Sequence, residues 1–166
     1  GGDRFVYFTS GEYQNDTYAL PLDRLERVGA RVNLGVLPSQ GVRLDLRGAY
    51  TGMTTWNTGS GNSVEGLLLS TMRQDRNFFS SGDPRVVARL LDHRNRQDID
   101  RSTAGITATF EQGTGIVHRV TAGLDQSNQD VLSLRPEGPF DEGGLTRREW
   151  QRSLRTLDYV VTRTAP

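Results

Sequence analysis

The stretch "ERVGARVNLGVLPSQGVRLDLRGAY", Glu26 to Tyr50, decides how the chain folds. Val28, Ala30, Val32, Leu34 and Val36 fall on one side of an extended chain; Arg27, Gly29, Arg31, Asn33 and Gly35 fall on the other. After Pro38-Ser39-Gln40-Gly41 the pattern resumes, with Val42, Leu44, Leu46 and Tyr50 opposing Arg43, Asp45, Arg47 and Thr51. Strict alternation is the period of a β-strand, and Pro-Ser-Gln-Gly has the composition of a tight turn. The stretch is therefore a hairpin with one apolar face. A soluble sheet turns such a face into a core, whereas a membrane barrel turns it to lipid and leaves the polar face on a wet lumen. The hairpin alone fits either.

Working outward, four more segments carry strand character. Arg4–Tyr13 is rich in aromatic and β-branched residues. In Ser102–Gln112, Ala104, Ile106, Ala108 and Phe110 oppose Thr103, Gly105, Thr107, Thr109 and Glu111. In Ile116–Gln129, Val120, Ala122 and Leu124 oppose Arg119, Thr121, Gly123 and Asp125. In Ser153–Thr164, Leu157, Tyr159 and Val161 oppose Asp158 and Thr162. Short turns at Pro38–Gly41 and Gly113–Gly115 alternate with long links at 14–26, 57–101 and 130–150. In an up-and-down meander this order puts every long loop at one end, the arrangement of outer-membrane barrels. Typical soluble loops have only ~4–6 residues. The expected fold is all-β: an antiparallel meander of about six long strands over residues 1–166, part of a transmembrane β-barrel. Val64, Leu67, Leu68 and Met72 lie at helical spacing, so a short helix is expected in the longest loop.

Composition narrows the function. Net charge is zero, which argues against a nucleic-acid binder. With no cysteine, disulfides and thiolate metal sites are excluded. All basic residues are arginine, which reads mainly as genome composition. Hydrophobic residues make up 34%, lean for a soluble core until the 19 glycines are added. No apolar run approaches the ~20 residues of a membrane helix. The chain opens on Gly-Gly-Asp-Arg-Phe and reads as a mature chain or a piece of a longer one.

Catalytic signatures are missing. There is no nucleophile elbow, P-loop or metal-spaced histidine cluster. His93 sits in the longest loop, and His118 shares a face with Ile116 and Val120. "DQSNQD", Asp125–Asp130, lacks the glycine and distal glutamate of a calcium loop. Asp141, Glu142 and Glu149 read as a solvated acidic patch. No enzyme and no cofactor is expected.

Three stretches carry a resemblance. "GGDRFVYFTSGEYQND" resembles the motif of TonB-dependent outer-membrane receptors in which Gly-Gly leads into a Tyr-Phe strand. "LDRLERVGARVNLGVLPSQGVRLDLRGAYT" is similar to the hairpin that follows it, with its Arg-x-Asn-Leu strand. "HRVTAGLDQSNQDVLSLRPEG" resembles the Gly-Leu-Asp strand running into a Pro-x-Gly loop. Order and spacing match the starch-utilisation (SusC-like) branch. The resemblance spans essentially the whole chain, through strand and turn patterns. It implies an outer-membrane location and energy-coupled uptake of a glycan, siderophore or peptide. The implied partners are the remainder of the barrel and its plug, outer-membrane lipid, the TonB complex acting through the plug, and a surface lipoprotein. The family's plug and TonB-contacting segment lie outside these residues, and its barrel has about twenty-two strands. The competing reading is a soluble β-rich ligand-binding domain.

Two sets of site residues follow. Arg27, Arg31, Arg43, Arg47, Arg101 and Arg119, with Asp45, Glu111 and Asp125, are expected on the lumen face. They read first as a charge ladder, because opposite charges across strands stabilise sheets without any ligand. The sharper reading is a substrate-facing wall. Ligand contact is expected at the long-loop end, at Trp56, Asn57, Phe78, Phe79 and Trp150. Aromatic faces stack on rings and amides bond hydroxyls. The competing role for Trp56 and Trp150 is anchoring the sheet at a lipid interface.

Overall fold

The computed structural model describes residues 4–20, 22–58, 83, 85, 92, 94–113, 115–135, 137 and 142–163. These form six strands: β1 (Phe5–Thr17), β2 (Arg24–Ser39), β3 (Val42–Thr58), β4 (Arg94–Gln112), β5 (Ile116–Arg135) and β6 (Gly144–Arg163). They pair antiparallel, in sequence order, in one open sheet whose edges are β1 and β6. The expected meander is therefore present. The helix expected over 63–79 lies outside the described residues.

The hairpins close as their composition requires. Gly41 has φ 74°, and a Cβ there would stand 2.9 Å from the carbonyl oxygen of Glu111. Only glycine fits that left-handed, crowded position. Its own carbonyl accepts a bond from the Glu111 amide, 2.7 Å, tying the β2–β3 turn to β4. At the other end Tyr18 and Asp23 close the β1–β2 connection by a 3.0 Å backbone bond.

The long links shrink in the structure. Residues 14–17, 24–26, 57–58, 94–101, 130–135 and 144–150 belong to strands. Alternation of apolar and polar residues ends before pairing does. Both faces of these extensions are mostly polar, apart from Leu132, Leu134 and Leu145 on the band's face and Leu25, Ile99, Val131 and Trp150 on the other, and cross-strand bonds hold them. Thr54 Oγ1 donates to Asp98 (2.7 Å), Ser133 Oγ to Asn95 (2.6 Å) and Arg147 Nη2 to Asp130 (2.6 Å).

Register sets the faces. One row across the sheet reads Tyr7, Leu34, Leu46, Ile106, Ala122, Leu157. Four rows nearer the loop end, the same face reads Asn15, Glu26, Thr54, Asp98, Asp130, Glu149. The apolar part is thus a band across the turn-side half. On β1 it runs from Phe5 to Tyr13, on β2 from Val36 to Val28, on β3 from Val42 to Tyr50 and on β5 from Ile116 to Leu124. It is shorter on β4, Phe110 to Ala104, and on β6, Val161 to Leu157.

The band's loop-side border is not parallel to the rows. Tyr13 shares a row with Val28, Gly52, Asp100, Asn128 and Gln151, whereas the continuous apolar run on that face of β6 ends at Leu157; apolar residues recur on it only at the far loop end, at Leu145 beside Leu134 of β5. From Gln151 to Leu157 the border slips ~20 Å along the strands at ~3.4 Å per residue, across five spacings of ~4.8 Å. The turn-side border slips the same way, from Val36 to Val42 and Phe110 to Ile116. The loop-side border therefore crosses the rows at about 40° by that strand geometry, while the turn-side border slips less and on β6 steps back to Val161, in the row of Phe110 and His118. Nothing among the described residues covers the band: Leu157 is 78% exposed and Tyr13 74%.

Candidate functional site

The opposite face carries the charges. Arg27, Arg31, Arg43, Asp45, Arg47, Arg101, Arg119 and Asp125 all lie on it, as their alternation requires. Two pairs are well formed. Arg101 donates through Nε and Nη2 to the Asp125 carboxylate at 3.0 and 2.6 Å, bridging β4 and β5. Arg43 grips Asp45 two residues along β3, with Nε 2.9 Å from Oδ2. Arg27 stands 3.9 Å from Glu12 across β1 and β2. Arg31 donates to Asn33 at 3.5 Å. The expected ladder thus has one strong cross-strand rung, at Arg101 and Asp125; the grip on Asp45 runs within one strand. Thr107 and Thr121, opposite one another on the same face, share a 3.3 Å hydroxyl contact.

The five residues expected at the ligand do not come together. Trp56 lies on the apolar-band face, beyond the band, in a row with Arg24 and Arg96. The Arg24 guanidinium stacks 3.6 Å over its ring centroid and that of Arg96 lies at 5.7 Å. Asn57 points to the other face, opposite Asn95. Trp150 is inside β6, not beside it, and faces the charged side opposite Gln129. Trp56 and Trp150 therefore lie on opposite faces, three strands apart. Phe78 and Phe79 lie outside the described residues, as does His93.

This separation was legible in the sequence. Counting back by twos from Leu157, Trp150 falls on the polar face; counting forward from Leu44, Trp56 falls on the apolar one. The expected cluster equates proximity to one end of the sheet with proximity in space, and strand parity overrides it.

Trp150 instead borders a hollow of about 640 Å³ on the charged face, with Arg101, Asp125, Ser127, Gln129 and Arg152. The sequence signal for these is their common parity near the loop end. A half-exposed indole beside amide and guanidinium groups can take a flat ring and bond its substituents.

Elsewhere the structure places each remaining candidate. His118 lies on the apolar-band face with Ile116 and Val120, and its Nδ1 is 2.8 Å from Tyr159 Oη. "DQSNQD" lies within β5, so its side chains alternate between faces; Asp125 meets Arg101 and Asp130 meets Arg147. Hydrogen bonding from Arg147, followed by its charge, holds the Asp130 carboxyl below the usual range against partial desolvation. Glu149 stands 3.0 Å from Arg147. Among the described residues, no three histidine or carboxylate side chains converge as a metal site.

Comparison with protein-family models, with curated proteins and with solved structures finds no match.

Proposed function

We propose that this chain is a stretch of the wall of an outer-membrane β-barrel, within a TonB-dependent receptor for a nutrient. The sloping apolar band is the observation that carries the membrane reading. Strands of such barrels tilt ~35–45° and present an apolar belt ~25 Å tall. Nine residues of strand are ~30 Å long, and a tilt of about 40° makes that ~23 Å along the membrane normal. A membrane gives a band whose border cuts the rows at the tilt angle, as the loop-side border does here beside the nine-residue spans of β1, β2, β3 and β5. A soluble sheet packs its apolar face under a second layer and needs no such slope.

Aromatic residues line both borders. Phe5, Phe110, His118 and Tyr159 stand near the turn side, with His118 stacked between Phe110 (centroids 6.0 Å) and Tyr159 (6.1 Å). Tyr13 and Tyr50 stand at the loop side. Such rings anchor barrels at the two interfaces. β1 enters and β6 leaves at the turn end, which in this reading is periplasmic. The open edges of β1 and β6 then pair with further strands, since long unpaired edges invite pairing.

The receptor class is supported by the resemblance of "GGDRFVYFTSGEYQND", the hairpin after it and "HRVTAGLDQSNQD" to TonB-dependent receptors. In that reading the charged face lines the lumen. The hollow at Trp150 is open to the solute passing through, and Trp56 stands outside, above the lipid. The chain then works with its plug and an inner-membrane energiser, and performs no chemistry on the solute.

The chain has no cysteine, so single spin labels are clean reporters. In the protein in its membrane, a label at Val32→Cys should meet dissolved oxygen and escape a water-soluble nickel quencher, and one at Arg31→Cys should do the reverse. A label at position 32 shielded from both would mean a covered core and would end the membrane reading. The receptor reading has its own test: uptake that depends on this protein should cease when the inner-membrane energiser is inactivated, and undiminished uptake would leave a passive barrel.

A further inference from the structure

On the apolar-band face of β3 to β6 lies a shallow groove of about 990 Å³. Its floor is Ala104 and Ala122, and Leu46, Ile106 and Leu124 rise around them. Its loop-side rim is polar, formed by Gln126, Ser153 and Arg155. The split falls on the sloping border, because Arg155 is the first residue beyond Leu157 on that face of β6.

Arg155 is unlike most other arginines near the band. Arg96, Arg101 and Arg147 each engage a carboxylate, at 2.9, 2.6 and 2.6 Å. Arg155 has no hydrogen bond or ion pair among the described residues. Its neighbour across the strand is Leu124, and along β6 it has Ser153 and Leu157, so no carboxylate adjoins it on that face. An unpaired guanidinium held against aliphatic groups is a planar donor fork suited to a phosphate. Its stem can lie along the apolar surface with the head at the interface.

We propose that this groove is a specific site for one anionic, phosphate-bearing lipid of the loop-side leaflet, with the phosphate on Arg155, Gln126 and Ser153 and an acyl chain over Ala104 and Ala122. The occupant is set by charge complementarity at the rim and by the change from polar to apolar along one groove. The proposal rests on the membrane reading above.

The test uses the protein inserted in lipid vesicles. Trp56 and Trp150 are replaced by Phe, and Leu44→Trp, one row below the groove on β3, becomes the only indole. Quenching is compared between dibrominated phosphatidylglycerol and dibrominated phosphatidylcholine. Phosphatidylglycerol should be preferred about five-fold, the effect of one arginine at an anionic lipid surface. Arg155→Gln should bring the ratio to about one. Arg163→Gln, at the turn-side end of the same face, should leave it unchanged. Excess inorganic phosphate should not displace the lipid. Equal ratios with and without Arg155, or equal loss in both variants, overturn the proposal in favour of no site or a diffuse field. Displacement by free phosphate overturns it in favour of an anion site that needs no acyl chain. Absence of quenching by either lipid would mean that the sheet is not in lipid, and would fail the membrane reading itself.

Discussion

The same six strands behave as two different materials. In the turn-side half, one face is apolar and the other polar, and the contrast between faces fixes which side each residue occupies. In the loop-side half both faces are mostly polar, with scattered apolar residues such as Leu134 and Leu145, and the strands are held by backbone pairing and side-chain bonds such as Thr54 to Asp98 and Arg147 to Asp130. The difference teaches that strand pairing and apolar facing are set separately. β3 continues unbroken while the band's face turns from Leu46 to Thr54, and in the proposed barrel that change marks the edge of the lipid.

The largest test of that contrast is a charge in the middle of the band. Val32→Arg or Leu46→Arg should cost about 2–4 kcal/mol in a bilayer. Thr54→Arg, on the same face beyond the band, should stay within about 0.5 kcal/mol, as ordinary surface changes do. Thr107→Arg or Thr121→Arg, on the wet face, should cost much less than Val32→Arg. Denaturant unfolding of the vesicle-inserted protein measures all of them, and equal costs at 46 and 54 would erase the boundary.

Next in size is the turn. Gly41→Ala should destabilise the β2–β3 hairpin by about 1 kcal/mol or more, because alanine at positive φ is strained. The added methyl also meets the Glu111 carbonyl oxygen. The same unfolding measurement reads it.

A smaller effect separates the tryptophans. Trp56→Ala removes the stack under Arg24 and should cost about 0.5–1 kcal/mol, the range of an exposed cation–π contact. Ligand affinity should be unchanged, since Trp56 is on the outer face. Trp150→Ala should do the opposite, leaving stability near wild type and weakening ligand binding. Affinity lost in the Trp56 variant alone would reverse the assignment of faces.

The smallest effect is in acid. Arg147 keeps the folded-state pKa of Asp130 below its unfolded value. Such a carboxylate contributes stability above the unfolded pKa and loses it as pH falls through the folded one. Arg147→Gln should therefore raise the Asp130 titration toward the ordinary carboxylate range, as a carboxyl-carbon chemical-shift titration reads it. An unmoved titration would mean that the pair does not hold in solution.

How far the chain could be read from its residues follows the same division. Where Val28 to Val36 alternate with Arg27 to Gly35, number, order and facing of strands were legible, because burying one side of a strand imposes period two. Where Asp98, Asp100, Asn128 and Asp130 share the band's face, apolar residues are too sparse to mark the period, so paired strand reads as loop. The ladder was legible as a face and only partly as partners: Arg101 and Asp125 are opposed diagonally by a register that composition does not show. The ligand set does not come together because Trp56 and Trp150 have opposite parity in their strands and so lie on opposite faces. The slope of the band could not be seen from any single strand, since it exists only once register relates Tyr13 to Gln151.

The depth of each strand's midpoint in lipid tests the central claim most directly. Single spin labels are walked along the apolar-band face of β2, β3 and β5, and depth is read from the ratio of oxygen to nickel accessibility. The account predicts deepest positions at Val32, Leu46 and Val120, each one row nearer the turns than the last, as a barrel strand tilted by about 40° requires. Deepest positions on one row, at Val32, Gly48 and Leu124, or no lipid-accessible position on that face, would contradict it.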